Sequence, residues 1–438
     1  NLRNEVLFRF GGDDAVDSGT AFVLGSLGGE VSDRFNGAFD IVIGNPPWTR
    51  LRDEKQENED DPNEREAKSR AASVTGNLNK SFTAIGRRAL AARGFKELAA
   101  RYHNPDKNPD LPFLWRATEW AKPGGVIALA MHARLFMRTS GKGWNAWRSV
   151  LTSLQITGLL NGSDLRKTAV WEGIDVPFCL LFARNASPSA GHRFQYSCPS
   201  YEPDLNGRGR LRIDYEAAHQ ISVERAEAQP WLLKTLGLGT RLDVELMESL
   251  NKLHWHSLGS YWNDWDKSGL STGKGYDRSP KLKQKPVDFL GKLPDFRPSR
   301  DSFTIKHDEL FIDRYGVSAD HMPRTERLYQ PPVVVIPQSP GDKASRPRAY
   351  VSDRSLAFSQ SYYGYSCAGH PEAELLAAIL YLLPHSTLFN YFCVMTSRRS
   401  GFDRQTFNKD EFDALPFPVL GDLSSDTRAR ILDIAHRI

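Results

Sequence analysis

Ten residues constrain this chain most: Phe39-Asp40-Ile41-Val42-Ile43-Gly44, followed at once by Asn45-Pro46-Pro47-Trp48. The β-branched run predicts a buried strand, and Gly44 ends it in a turn. The two prolines fix φ twice in succession and remove two N–H donors. A sheet ladder does not run through such a pair, so the chain leaves the sheet here. It leaves behind backbone carbonyls without competing donors, next to the side-chain carbonyl of Asn45. In an open α/β sheet, ligands bind at the carboxyl ends of strands.

The flanking pattern supports such a sheet. Short apolar runs at Ala21–Leu24, Val126–Met131, Ile156–Leu160 and Val176–Ala183 alternate with helical spacing at Leu111–Ala121 and Trp144–Leu154. This rhythm predicts a parallel sheet covered by helices. Residues 50–107 are polar and Asn-rich and predict a long loop or irregular helical insertion. Residues 186–235 predict an extra hairpin, and Leu236–Leu253 a helix. From 257 to 420, Gly, Pro and aromatics surround short β-like runs such as Pro332–Ile336 and a helix at Glu372–Leu383, an α+β composition. The expected organisation is therefore a catalytic α/β domain over 1–235, a helical connector over 236–256 and a second domain over 257–438.

Composition excludes several classes. No stretch approaches 18 consecutive apolar residues, so no membrane partner is expected. Cys179, Cys198, Cys367 and Cys393 are scattered, which argues against a disulfide scaffold and for a reducing, cytoplasmic setting. The histidines show no metal-ligand spacing, so no metal is expected. The net charge of +4 says little, but its distribution is uneven. Asp53–Glu66 holds eight acids against two bases, and Lys274–Arg300 holds eight bases against three acids. A basic run of this kind can track phosphates or simply be a solvated surface.

The turn has a specific chemical use. Carbonyl acceptors from Asn45 and Pro46 suit a planar amine that must give up two hydrogen-bond donors. When that amine attacks a methyl group, its nitrogen becomes tetrahedral and gains positive charge. Acceptors aimed at it then stabilise the transition state more than the ground state. Trp48 offers a flat face for stacking a base.

These residues resemble the catalytic motif of amino-group DNA methyltransferases, most closely the N6-adenine enzymes of restriction-modification and phage-defence systems. Asp110-Leu111-Pro112-Phe113-Leu114-Trp115 with Lys122-Pro123-Gly124-Gly125-Val126-Ile127 is similar to the family's next helix and strand. Val170-Trp171-Glu172-Gly173 looks like the segment carrying the second aromatic wall of the base pocket. Asp410 to Pro418 resembles the closing segment of its target-recognition domains. The resemblance implies a partial Rossmann-like S-adenosylmethionine methyltransferase sheet followed by an α+β target-recognition domain, with double-stranded DNA as partner and base flipping as the route to the amine. It implies Asn45, Pro46, Pro47 and Trp48 as catalytic residues and Trp48 with Trp171 as base-stacking walls. Gly25, Ser26, Asp110 and Phe113 are its cofactor-binding candidates. Lys274, Lys281, Lys283, Lys285, Arg398, Arg399 and Arg404 are the DNA-binding candidates.

One departure matters. The family's glycine-rich cofactor loop and ribose-binding acid belong well upstream of Asn45, and 44 residues are too few for both. Gly11–Thr20 resembles a glycine loop only superficially. Gly25 and Ser26 fill a turn where the family often has an acid, with Glu30 and Asp33 nearby. An upstream segment or partner chain is expected to supply the rest of the cofactor pocket, and other defence-system subunits are possible partners. The alternatives are a non-catalytic DNA-binding or specificity subunit, and an N4-cytosine, RNA or protein-glutamine methyltransferase. A C5-cytosine enzyme is excluded, because no Pro-Cys pair is present to supply its nucleophile.

Overall fold

The computed structural model describes residues 27–48, 62–203, 209–253, 256–265, 270–277, 284–296, 311–312, 319–320, 323–339, 348–397, 401 and 406–437. The chain divides into two compact units, Asn1–Val244 and Glu245–Ile438. The division falls within the stretch read as a connector. That stretch is not one helix: Leu232–Leu238 and Arg241–Asn251 are separate, broken at Gly239 and Thr240.

In chain order the first unit holds α1 (Gly29–Phe35), β1 (Phe39–Gly44), α2 (Pro62–Ala92), α3 (Lys96–Arg101), α4 (Asp110–Trp120) and β2 (Ala121–His132). It continues with α5 (Gly141–Ser153), β3 (Gln155–Asn161), β4 (Phe178–Arg184), β5 (Arg193–Ser197), β6 (Ser200–Glu202), β7 (Arg210–Arg212) and β8 (Ala218–Ser222). Six strands form one sheet in the order β1-β2-β4-β3-β5-β8. This is an α/β fold, but the expected all-parallel sheet is corrected. β1 and β2 are parallel, as are β3 and β5, while β4 runs antiparallel to both its neighbours and β8 is antiparallel to β5. The cause is local. The chain from β3 returns through residues 162–177 without a crossover helix, so β4 enters reversed between β2 and β3. The hairpin expected within 186–235 is present as β6 and β7.

Of the two readings of the polar insertion, the helical one is present: residues 62–92 form one 31-residue helix. Its apolar residues are sparse but fall on one stripe: Leu78, Phe82, Ile85 and Ala89 are all buried. Gly86 lies in that stripe because a Cβ there would enter the ring of Tyr102. Tyr102 is itself fully buried, and its hydroxyl accepts from Trp115 Nε1 at 2.9 Å. Arg93, at the end of the insertion helix, donates through Nε and Nη2 to the Ser153 carbonyl. Helices α2, α4 and α5 thus form one continuous layer.

That layer covers one face of the sheet. Ile127, Leu129, Met131, Cys179, Leu181, Ala183, Ile156 and Leu159 are buried there. The intervening positions belong to the other face, as strand alternation requires.

The second unit contains a four-stranded antiparallel sheet ordered Thr272–Lys274, Tyr362–Ser366, Val333–Pro337, Tyr350–Ser352. Its core joins Val333 and Val335 to Leu328, Tyr329, Leu356 and Phe358. Helices Ala373–Leu382 and Thr387–Thr396 are largely buried. Trp262 is fully buried against Tyr365 and Phe417, so it is a core residue. Among the described residues no single helix is long and apolar enough to cross a membrane.

Candidate active site

The β1/β2 ladder runs as far as Gly44↔Leu129. Beyond it Pro46 and Pro47 bring no N–H, and the ladder stops. Trp48 takes over: its indole Nε1–H donates to the carbonyl of Ala130, the next residue along β2, at 2.7 Å. The turn is therefore pinned to the sheet by a side chain where the backbone cannot do it. Pro46 is buried, Pro47 half-buried, and Trp48 is 8% exposed. Asn45 is exposed and makes no hydrogen bond among the described residues. Its amide is thus available at the carboxyl end of β1.

Trp48 sits in an aromatic cluster with Trp171, Phe178, Leu165, Ala130 and Tyr201. Its ring lies parallel to Phe178, 8° apart in plane and 5.9 Å between centroids. The Trp171 edge meets it at 5.1 Å and 76°. The two tryptophans named from the sequence are therefore brought together, but edge to face and not as two parallel walls. Phe178, Ala130 and Tyr201 were missed. The signal for Phe178 was strand alternation, which places it on one face with Leu180 and directly opposite His132 across the β2/β4 pair. Replacing Trp48 by Phe keeps the aromatic packing but removes the indole donor from a buried carbonyl. We expect a stability loss of about 1–3 kcal/mol in urea unfolding.

Asp110 stands at the start of α4, buried, with both oxygens engaged. Oδ1 accepts from Leu111 N at 2.9 Å and Oδ2 from His132 N at 3.3 Å. It ties the helix to the carboxyl end of β2, so its contacts here are with backbone. Phe113 is half-buried on the same helix. Asp110, His132, Arg134, Leu135 and Arg138 line a small cleft beside this tie. Burial raises the Asp110 carboxyl to about 6, against the pull of its backbone N–H partners. Burial, helped by the charge of Arg134, lowers the His132 imidazole to about 3.

These two shifts oppose each other in the pH dependence of stability. Asp110 titrates near 3.8 unfolded and near 6 folded, so across that window the fold holds the extra proton and stability falls as pH rises. His132 titrates near 6.5 unfolded and near 3 folded, so across its window the unfolded chain holds the extra proton and stability rises with pH. His132→Gln removes only the second effect. Between about pH 4.5 and about pH 6.5 the variant is expected to gain less stability than the parent, by about 2 kcal/mol. Urea unfolding of both proteins at the two pH values reads this directly. An identical gain would show that His132 is not buried as a neutral ring.

The remaining candidates divide. Gly25, Ser26, Lys281, Lys283, Arg398, Arg399 and Arg404 lie outside the described residues. Lys285 is exposed, and Lys274 is exposed with its ammonium 5.9 Å from the Tyr363 ring centroid. Among the described residues no group of His, Cys, Asp or Glu could hold a metal ion.

In open α/β sheets ligands bind at the carboxyl ends of the strands, and the proline-interrupted turn sets Asn45, unbonded among the described residues, at one such end. In comparison with known families, residues 11–164 match the Eco57I restriction-modification methylase family. The matched segment holds β1, the Asn45–Trp48 turn, α4 and β2. Three solved structures are similar at low identity. The DrdV–DNA complex is 12% identical with a TM-score of 0.47, covering 91% of this chain and 44% of that one. The type IIL restriction-modification enzyme MmeI in complex with DNA is 12% identical with a TM-score of 0.40, covering 90% and 48%. The type IIG restriction endonuclease BpuSI is 13% identical with a TM-score of 0.31, covering 93% and 50%. The chain thus spans about half or less of the length of these structures. Comparison with curated proteins returns no match.

Proposed function

We propose that this chain carries the catalytic turn of a DNA methyltransferase that moves a methyl group from S-adenosylmethionine to adenine N6 in a restriction-modification or phage-defence system. The observation that supports it most is the exposed, unbonded Asn45 followed by two prolines at the end of β1, inside the segment matching restriction-modification methylases.

In this reading the target adenine is flipped out of the duplex. Asn45 Oδ1 and the Pro46 carbonyl accept the two N6 hydrogens and hold the nitrogen lone pair in line for attack. The base stacks on Trp48, and Trp171 moves off the indole to make room. S-adenosylmethionine, when bound, supplies an electrophilic methyl group. The site fits that cofactor in part: β1 has an open edge beside Asn45, while Asp110 is engaged by backbone. The rest of the pocket comes from an upstream segment or partner chain. The second unit serves as the target-recognition domain, with the basic run from Lys274 along the DNA backbone.

The test is transfer of isotope-labelled methyl groups to duplex DNA by the completed protein, followed by mass spectrometry of the nucleosides. N6-methyladenine supports the reading. N4-methylcytosine, or label only in RNA or protein, replaces it with one of the other methyltransferases. DNA binding without any transfer favours a specificity subunit, which the internally engaged Asp110 would suit. If Lys274 and Lys285 touch phosphates, replacing both by Ala should lower the slope of log affinity against log salt by about 2, similarly for all duplex sequences. An unchanged slope returns them to the solvated surface.

A further inference from the structure

A single hydrogen bond fixes a point, not a plane. The indole of Trp48 is held at its rim by the Nε1–H bond to the Ala130 carbonyl. That bond leaves the ring free to tilt about the line from Cβ to Nε1. What fixes the tilt is packing against the ring. Phe178 lies parallel to Trp48 within 8°, with centroids 5.9 Å apart. Trp171 stands across both rings, at 76° to Trp48 and 72° to Phe178, with centroids 5.1 and 4.9 Å away. Displaced-parallel and edge-to-face contacts of this kind are the preferred ones for aromatic pairs.

Phe178 is in turn seated from the backbone outward. It opens β4 directly opposite His132 of β2. Its carbonyl accepts from Gly162 N at 2.9 Å, and the carbonyl of Pro177 accepts from Ala133 N at 3.0 Å. The Phe178 ring is 3% exposed and lies on Gly162, where a Cβ would come within 2.3 Å of ring atoms Cε2 and Cζ. The φ of Gly162 is −91°, which is open to residues with a side chain. The ring, not the backbone, therefore calls for glycine at this position. We infer that Phe178 is a positioning residue that sets the plane of Trp48, and that Gly162 gives its ring the room to do so. For what stacks on the indole, the inference rests on the proposed function. An adenine lying on Trp48 takes its tilt from Phe178. Asn45 and Pro46, three and two residues before Trp48, meet the N6 hydrogens only at that tilt. Leucine at 178 keeps apolar bulk but offers no flat face.

Two measurements test it, the first without reference to catalysis. The 438-residue chain is labelled with 5-fluorotryptophan, and single Trp→Phe variants assign the fluorine signals. Phe178→Leu should move the Trp48 signal and leave in place those of Trp115 and Trp147, which are buried in the helical layer. Gly162→Ala should also move the Trp48 signal and lower the urea midpoint. In the Phe178→Leu background its effect on the midpoint should fall to half or less, because the two side chains act on one contact. A Trp48 signal unmoved by Phe178→Leu would overturn the inference, as would an equal Gly162→Ala effect in both backgrounds. The second measurement is turnover of the completed protein. Phe178→Leu should lower kcat by roughly 10–100-fold with KM for duplex DNA near parental, the pattern of a misplaced reacting group. Parental kcat in a variant whose Trp48 signal has moved would overturn the inference as well. A moved Trp48 signal beside a parent that transfers no methyl group would remove the enzymatic reading and leave Phe178 as the residue that sets the indole plane.

Discussion

Asn45→Ala, made in the completed protein, is expected to lower methyl transfer by ~10²–10³-fold, the usual effect of deleting one preorganised polar group aimed at developing charge. The argument is local. Asn45 is exposed and unbonded among the described residues, so none of them depends on its amide. The turn that presents it is held by Pro46, Pro47 and the indole bond to Ala130, all of which remain. Stability and duplex affinity should therefore stay near those of the parent. The loss should appear in kcat and not in KM for DNA, because the Asn45 contact tightens as the amine becomes tetrahedral. Asn45→Asp offers an acceptor of the same shape and should retain more activity than alanine. Near-parental turnover of Asn45→Ala would sink the assignment of this turn as catalytic.

How far these features were legible in the sequence depends on how much each depends on distant residues. The turn was legible because proline acts through its own φ and missing N–H, whatever surrounds it. So were α4, α5 and the strands β2 to β4, whose patterns are dense in Leu, Ile, Val and Trp. The insertion was legible only as a choice between a loop and an irregular helix. Leu78, Phe82, Ile85 and Ala89 fall on one stripe, but Asn, Ser and Thr between them lower its apparent propensity, and burial against Tyr102 and α4 decides the outcome. The direction of β4 was equally hidden. Periodicity finds a strand but carries no sign, and only the connection through 162–177 without a helix reverses it. For Trp48 the type was read correctly but not the geometry. Its bond to Ala130 spans 82 positions, and no local pattern announces a contact of that range.

Cofactor binding should show the largest contrast of all. In isothermal calorimetry, the 438-residue chain alone should give no measurable heat with S-adenosylmethionine. The same chain supplied with the upstream segment or partner chain proposed to complete the pocket should bind at least ~100-fold more tightly than any residual affinity, a difference of about 2.8 kcal/mol. Three observations lead there. Asp110 has both oxygens engaged with the backbone N–H groups of Leu111 and His132, so freeing one for a cofactor hydroxyl would cost a buried hydrogen bond. The sequence has Gly25 and Ser26, neither with a charged side chain, where the resemblance leads one to expect an acid. β1 ends the sheet with no strand beyond it among the described residues, so among them only one wall of a crevice stands at its carboxyl end. A crevice with one wall exposes its ligand to water and makes too few contacts to offset the lost freedom of the ligand. Tight binding by the unfused chain would defeat this argument. Gly11–Thr20 would then be the candidate cofactor loop, and the proposal that another segment completes the pocket would fall.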